Sequence, residues 1–359
     1  MTPSSSRLGY RRLSRSDADV FHALCLDEHV RRYLLDGQRL SRQWALEIID
    51  NSDNLFDAAG VGLWLVVNDG AAIGFCGYHR FDTLSAEPQL IYAFARPHIR
   101  RGYATEAGGA MLAEARRLGW PRVLAATDGP NRESRHVLDK LGFRCAGRVP
   151  GAFGDTLLFE RWEGPSPRRL HAPVGTRFRL RVASTWEGEP ACESEVVCLD
   201  LEVGDIELTV GVDAPFHGDE APTSTMRLWE HEVVELMLLG DDERYVEVEL
   251  SPHGEHLVLL LAGARNIVHR DLALDYHAEI DARGARWHGR ARLPLCWLPA
   301  NTRRLNAYAM HGDTMRRYLA WRATRGERPD FHRLSSFGRF DDDAIDVISP
   351  SHQGDGAST

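Results

Sequence analysis

Long apolar runs are missing from this chain of 359 residues. None approaches the roughly 20 residues that span a bilayer, which predicts no membrane partner. The opening Met1-Thr2-Pro3-Ser4-Ser5-Ser6-Arg7 lacks the apolar core of a secretion signal. Basic excess is missing too. Lys and Arg number 43 against 52 Asp and Glu, a net charge of −9, which argues against a general nucleic-acid partner. The six cysteines (Cys25, Cys76, Cys145, Cys192, Cys198, Cys296) form no Cys-x-x-Cys pair. They predict reduced thiols and a cytoplasmic location. No internal repeat, Ser-His-Asp arrangement or paired-carboxylate signature stands out. No short His or Cys ligand spacing appears, so no metal is expected. What remains is 43% hydrophobic and 26% charged, the balance of a soluble globular protein. Its length suits two domains, each able to bury a core.

The best division is Gly164-Pro165-Ser166-Pro167-Arg168-Arg169, which continues neither a helix nor a central strand. Domains are predicted at 1–163 and 170–348, with a linker at 164–169 and a disordered tail at 349–359. Before the linker strands alternate with helices. Helices are predicted at Asp17–Leu35 (one or two), Ser41–Asn51, Glu106–Leu118 and Asn131–Leu141. After it come short alternating or apolar runs: Phe178–Ala183, Val196–Val203, Ile206–Val212, Val233–Leu239, Tyr245–Leu250 and His256–Leu261. Polar turns separate them, a pattern that suggests an antiparallel sandwich.

The richest stretch is Ile99-Arg100-Arg101-Gly102-Tyr103-Ala104-Thr105-Glu106-Ala107. It links the strand-like Leu90–Ala95 to a helix starting at Thr105. Such a turn presents free backbone N–H groups and the positive end of a helix dipole, a site for an anion such as a cofactor phosphate. Gly102 permits close approach and Ala104 keeps it clear. The same residues also read as a tight turn with two solvated arginines. Downstream stand Asn131-Arg132-Glu133-Ser134 and Lys140-Leu141-Gly142-Phe143.

These motifs, in this order, resemble the GNAT acetyltransferase superfamily over roughly residues 7–162, nearest to the branch that acetylates protein N-termini and other amines. The resemblance implies an α+β GNAT acyltransferase domain: a mixed, mostly antiparallel sheet flanked by helices. It implies direct transfer from acetyl-CoA to an amine, with no covalent enzyme intermediate. The turn Ile99, Arg100, Arg101, Gly102, Tyr103, Ala104 and Thr105 would hold the pyrophosphate. The strand ending at Ala93–Arg96 would splay from its neighbour and offer a backbone N–H to the thioester. Asn131 would contact the pantetheine arm, and Ser134 would lie near the leaving sulfur. Two positions depart from the pattern. Gln89 stands where many relatives carry a glutamate base, and an amide is no base at neutral pH. Leu138 stands where some carry a tyrosine acid. Glu87, two residues before Gln89, is an alternative base, as is water-mediated deprotonation. The acceptor amine is expected near Tyr33, Asp36 and Asp82. Asn131 also reads as a helix N-cap, Ser134 as a small helix residue, and the aspartates as solvated loop residues.

The second half carries Leu228-Trp229-Glu230-His231-Glu232-Val233-Val234-Glu235 and Tyr245–Gly254. It also carries Val212-Asp213-Ala214-Pro215-Phe216, Asn306–Gly312 and Pro329-Asp330-Phe331-His332-Arg333-Leu334. Over roughly 170–341 it resembles a β-sandwich group that includes family-9 carbohydrate-binding modules and DOMON-like domains. The closer match is an uncharacterised family of that type. The resemblance implies an all-β antiparallel sandwich with a carbohydrate as its ligand. From the residues, Trp229 and Trp287 suit stacking on a sugar face, and Glu230, Glu232 and Arg333 suit bonding hydroxyls. His253, His311 and His332 sit at apparent strand ends. Equally, tryptophans fill sandwich cores and strand-end histidines satisfy backbone groups. Alternation puts Glu247 and Glu249 on one side of a strand and Val248 on the other.

Together these features predict an acetyl-CoA-dependent N-acetyltransferase fused to a ligand-binding sandwich. The acceptor is a small-molecule amine, an amino sugar or a peptide N-terminus. The rival from another class is a non-catalytic acyl-CoA- or glycan-binding protein.

Overall fold

A seven-stranded sheet organises the first half, and in this computed structural model it forms part of a unit spanning residues 1–166. A second unit spans 167–359. The structure describes residues 2–312, 316–342 and 345–348. The predicted tail 349–359 lies outside the described residues.

The first unit runs β1 (Gly9–Arg12), α1 (Ala18–Leu26), α2 (Glu28–Leu34), α3 (Arg42–Ala59), β2 (Leu63–Asn68), β3 (Ala71–His79) and β4 (Gln89–Phe94). It continues with α4 (Tyr103–Arg117), β5 (Arg122–Asp128), α5 (Arg132–Lys140), β6 (Arg144–Gly151) and β7 (Gly154–Trp162). Strand order is β1-β2-β3-β4-β5-β7-β6. Pairing is antiparallel except between β4 and β5, which run parallel. Alternation along the strands feeds two cores. Trp64, Val66 and Tyr78 pack with Ala107, Met111 and Leu138 of α4 and α5. Leu63, Leu65 and Phe75 pack with Phe21, Ile49 and Ala45 of α1 and α3. Helix α3 extends eight residues past the predicted Asn51, to Ala59. The polar run Asn51–Asn54 looks like a helix end, yet Ser52 is fully buried and its Oγ accepts the Leu63 N–H at 2.8 Å. Gly60, in the left-handed conformation, closes the helix.

The second unit is all-β among its longer elements. A six-stranded antiparallel sheet includes β8 (Arg177–Val182), β10 (Val197–Val203), β11 (Glu207–Pro215), β16 (Asp275–Ile280), β17 (Arg286–Pro294) and β21 (Asp346–Ile348). A larger antiparallel sheet holds β9 (Ser184–Thr185), β12 (Val233–Leu239), β13 (Arg244–Leu250), β14 (His256–Ala262), β15 (Ile267–Arg270), β18 (Arg304–His311), β19 (Arg317–Ala320) and the short β20 (Gly338–Arg339). Strands β8, β10 and β11 bury alternate residues, so one face of the smaller sheet is covered. Strands β12 and β13 bury nearly every residue, so the centre of the larger sheet is covered on both faces. Trp287, suggested as a stacking platform, is instead fully buried on β17 and belongs to the core. No helix among the described residues is long and apolar enough to cross a membrane.

Candidate active site

Strands β4 and β5 meet at one residue pair, Gln89 opposite Leu124, and then part. Their separation opens a cleft of about 410 Å³ lined by Leu90–Phe94 on one side and Ala125–Thr127 on the other. Beside it lies the Ile99–Thr105 turn. Arg100 (φ +59°) and Gly102 (φ +78°) both adopt the left-handed conformation, which favours glycine at the second position. Gly102 is the N-cap of α4 and offers no side-chain acceptor. The first backbone bond of the helix runs from the Glu106 N–H to the Gly102 carbonyl. The N–H groups of Tyr103, Ala104 and Thr105 are therefore left without intrahelical partners, at the positive end of a four-turn helix. This is a cradle for a phosphate, and a pyrophosphate-bearing cofactor fits it.

Of the predicted site residues, Tyr33, Ile99, Arg100, Gly102, Tyr103, Ala104, Thr105, Asn131 and Ser134 line this one cleft. Arg96 lines an adjoining hollow that shares Tyr33, Ile99, Arg100 and Asn131. Arg101 is exposed next to the turn. Arg100 is not a bare cation: it donates to Glu133 at 2.7 Å. Asn131 caps α5, its side-chain oxygen accepting the Ser134 N–H at 3.1 Å. That leaves its amide hydrogens as donors in a residue that lines the cleft.

Glu87 and Gln89 are not brought to the cleft lining. Glu87 pairs with Arg122, which also reaches Glu160 at 3.3 Å. Gln89 is 2% exposed beside the point where the strands part, its Nε2 lacking a hydrogen-bond partner. Asp82 is exposed in the turn after β3, and its charge acts on His79. Asp36 is exposed after α2 in the left-handed conformation (φ +51°).

Two residues escaped the sequence pattern. Tyr92 on β4 points its hydroxyl at Ser134, 3.1 Å from Oγ. Burial pushes its phenol up to about 12, although the Ser134 hydrogen bond pulls against this. Asp128 ends β5 at 7% exposure. Its Oδ1 accepts from Thr156 at 2.9 Å, while Oδ2 is buried without a partner. Burial raises the Asp128 carboxyl above the usual range and the Asp36 charge adds to this, against the Thr156 hydrogen bond. Tyr33 leads from the cleft toward Phe153, their ring centres 5.9 Å apart. The absent tyrosine at position 138 has a plain cause: Leu138 is 1% exposed and packs in the core.

In the second unit, Glu232 is buried and accepts from the His217 backbone N–H at 3.0 Å. The His217 and His311 rings stack 3.7 Å apart. Burial, and then the neighbouring His217, push His311 down to about 4. His253 contacts the Asp219 carbonyl at 2.8 Å. His332 Nδ1 lies 2.6 Å from the Tyr245 hydroxyl. Arg333 donates to the Thr324 carbonyl at 2.9 Å. Trp229 is 40% exposed, and Glu230 pairs with Arg227. Among the described residues, Glu232, His217 and His311 form one group, while His332 pairs with Tyr245. The carboxylate pattern not visible in sequence does form in space: Glu235, Glu247 and Glu249 bring oxygens within 4.8 Å of one another. Alternation alone sets Glu247 and Glu249 on one face; Glu235 joins them only through the register of β12 with β13.

Residues 7–144 match the family described as "Acetyltransferase (GNAT) domain". The chain is 38% identical over 175 residues to the UPF0462 protein C4orf33 homolog of Mus musculus, covering 45% of this chain and 90% of that protein. It is 38% identical over 176 residues to the UPF0462 protein C4orf33 of Homo sapiens, covering 45% and 86%. Among solved structures, a putative GnaT-family acetyltransferase from Bordetella pertussis is similar at 24% identity and a TM-score of 0.40, covering 45% of this chain and 98% of that one. The ribosomal L7/L12 alpha-N-protein acetyltransferase RimL, solved with coenzyme A, is similar at 16% identity and a TM-score of 0.40, covering 45% and 97%.

Proposed function

Because the chain belongs to the UPF0462 family and carries a GNAT acetyltransferase domain at residues 7–144, we propose that it transfers an acetyl group from acetyl-CoA directly to a primary amine. The acceptor is a small amine or an amino sugar. The UPF0462 likeness is assigned to the second unit, since the GNAT match takes the first. That second unit is read as a sandwich that binds the acceptor's class of ligand.

One observation carries the proposal: the parting of β4 from β5 opens into the same cleft as the unsatisfied N–H groups of α4. When bound, acetyl-CoA supplies the activated acyl group. The N–H groups of Tyr103, Ala104 and Thr105 hold its phosphates. The unpaired edge of β4 beyond Gln89 offers backbone donors to developing oxygen charge. Asn131 orders the arm between them. Asp36 draws in the cationic amine, and Asp128, with its raised carboxyl, removes the ammonium proton. Ser134, hydrogen-bonded to Tyr92, returns a proton to the leaving sulfur.

The test is calorimetric titration of the full chain with acetyl-CoA, alongside Ala104→Glu. Ala104 lines the cleft, so a carboxylate there meets the phosphates. Gly102→Glu is a poorer probe, because a Cβ on Gly102 points at Arg7 Nη2, 3.4 Å away, where a new carboxylate finds a partner. Binding by the wild type and loss in Ala104→Glu are expected. An amine panel with CoA release as readout then identifies the acceptor. No binding by folded wild-type protein refutes the proposal.

A further inference from the structure

We propose that Glu235, Glu247 and Glu249 form a binding site for one divalent cation of the hard, oxygen-preferring class: Ca²⁺, Mn²⁺ or Mg²⁺. The site belongs to the second unit and does not depend on the acetyltransferase reading.

Antiparallel pairing of β12 with β13 sets Glu235 directly opposite Glu249. Glu247 lies two residues along β13, on the same face. One oxygen from each lies within 4.8 Å of the others. Ligands around a cation at about 2.0–2.6 Å stand at most about twice that far apart, so the trio has the spacing of a coordination shell. The three residues are only 2%, 4% and 0% exposed. Like charges opposed across a strand pair destabilise a sheet, and buried carboxylates need a compensating group.

A second observation points to what that group is. Glu235 Oε2, Glu247 Oε2 and both oxygens of Glu249 are buried without a hydrogen-bond partner among the described residues. One oxygen of each residue is thus directed into one small space; the Trp229 backbone N–H acts on Glu249 but makes no hydrogen bond with either of its oxygens. The charges of Arg316 and Arg265 act on Glu235 and Glu247, but the hydrogen bonds of these arginines go to other groups. Arg265 holds Asp330 at 2.7 Å. Arg316 holds the carbonyls of Trp229 and Glu230 at 2.6 and 2.7 Å. His332 Nδ1 stands 3.9 Å from Glu247 Oε2 and is fixed by the Tyr245 hydroxyl. Carboxylate oxygens without thiolates select a hard cation.

The full chain, stripped with a chelator and desalted, is titrated separately with Ca²⁺, Mn²⁺ and Mg²⁺ by calorimetry. At least one ion is expected to saturate at one equivalent per chain. Glu235→Gln and Glu249→Gln are each expected to weaken it by at least about tenfold. If those variants fail to fold, wild-type protein still decides the matter. Mn²⁺ should broaden the His332 ring resonance, assigned with His332→Gln, at one equivalent. No saturable binding of any of the three ions overturns the proposal and leaves protons as the neutralising charge. Undiminished binding in both folded variants, or a His332 signal that stays sharp with Mn²⁺ bound, overturns it equally.

Discussion

Replacing Asp128 with asparagine should separate catalysis from stability in opposite directions. The Asp128 carboxyl is buried, hydrogen-bonded on one oxygen and orphaned on the other. Burial, reinforced by Asp36, raises it above the usual carboxylate range. A raised carboxyl binds its proton more tightly in the native than in the unfolded chain. Stability therefore falls as pH rises from the unfolded value of 3.8 through the native one, and the loss persists above it. Asparagine keeps an oxygen for the Thr156 hydroxyl and carries no charge, so it removes that loss. At pH 8 the variant should be the more stable of the two and melt at the higher temperature. Near pH 3 the advantage should vanish. A proton acceptor is also gone, so kcat should fall by about a hundred- to ten-thousand-fold. The assays are thermal melts across pH and CoA release with the amine found in the panel. A variant that melts lower than wild type at pH 8, or that loses less than about tenfold in kcat, refutes the reasoning.

Ser134→Ala and Tyr92→Phe should each lower kcat, and the double variant should lose far less than the product of the two. The hydroxyls act as one hydrogen-bonded pair, and additive losses in a double-mutant cycle would show them to be independent. Asp17→Asn tests the opposite pH sign. Burial pushes Asp17 up, but hydrogen bonds from Ser14 and Arg11 outweigh it and hold the carboxyl below 3.8. Its stabilisation is present above 3.8 and lost as pH falls through the native value. Urea unfolding should show the variant weaker by about 1–3 kcal/mol at pH 7, with the gap closing in acid. In the second unit, Asn306 is fully buried. It donates to the Tyr308 hydroxyl and the Arg322 carbonyl, and accepts from the Arg322 N–H at 3.0 Å. Asn306→Ala should cost about 2–4 kcal/mol in urea unfolding, because several buried groups lose partners at once.

What the sequence made legible was mostly local. The Gly102 turn and the Asn131 cap are set by residues next to one another, where conformational freedom and side-chain reach dictate the outcome. Strand alternation showed in β8 and β10, where charged and apolar residues take turns. It was overlooked in β17, whose Arg286-Trp287-His288-Gly289-Arg290-Ala291-Arg292 still buries every second position. Chemistry that depends on register was invisible. Asp128 is an ordinary strand-end aspartate until Thr156 of β7 and the Asp36 turn come beside it. Tyr92 becomes Ser134's partner only because β4 leaves β5 at the Gln89–Leu124 pair and faces α5. Glu235 and Glu249 are fourteen positions apart in the chain and directly opposed in the sheet. These cases share a cause. Position 138 had gone to the core and position 89 to an amide, so other groups must supply acid and base, and Ser134 of α5 has its partner Tyr92 on β4. Tyr92 and Asp128 lie on β4 and β5, the two strands whose parting makes the cleft. The feature that opens space for an acyl donor therefore also carries Tyr92 on the cleft lining and Asp128 one residue beyond the lining Thr127.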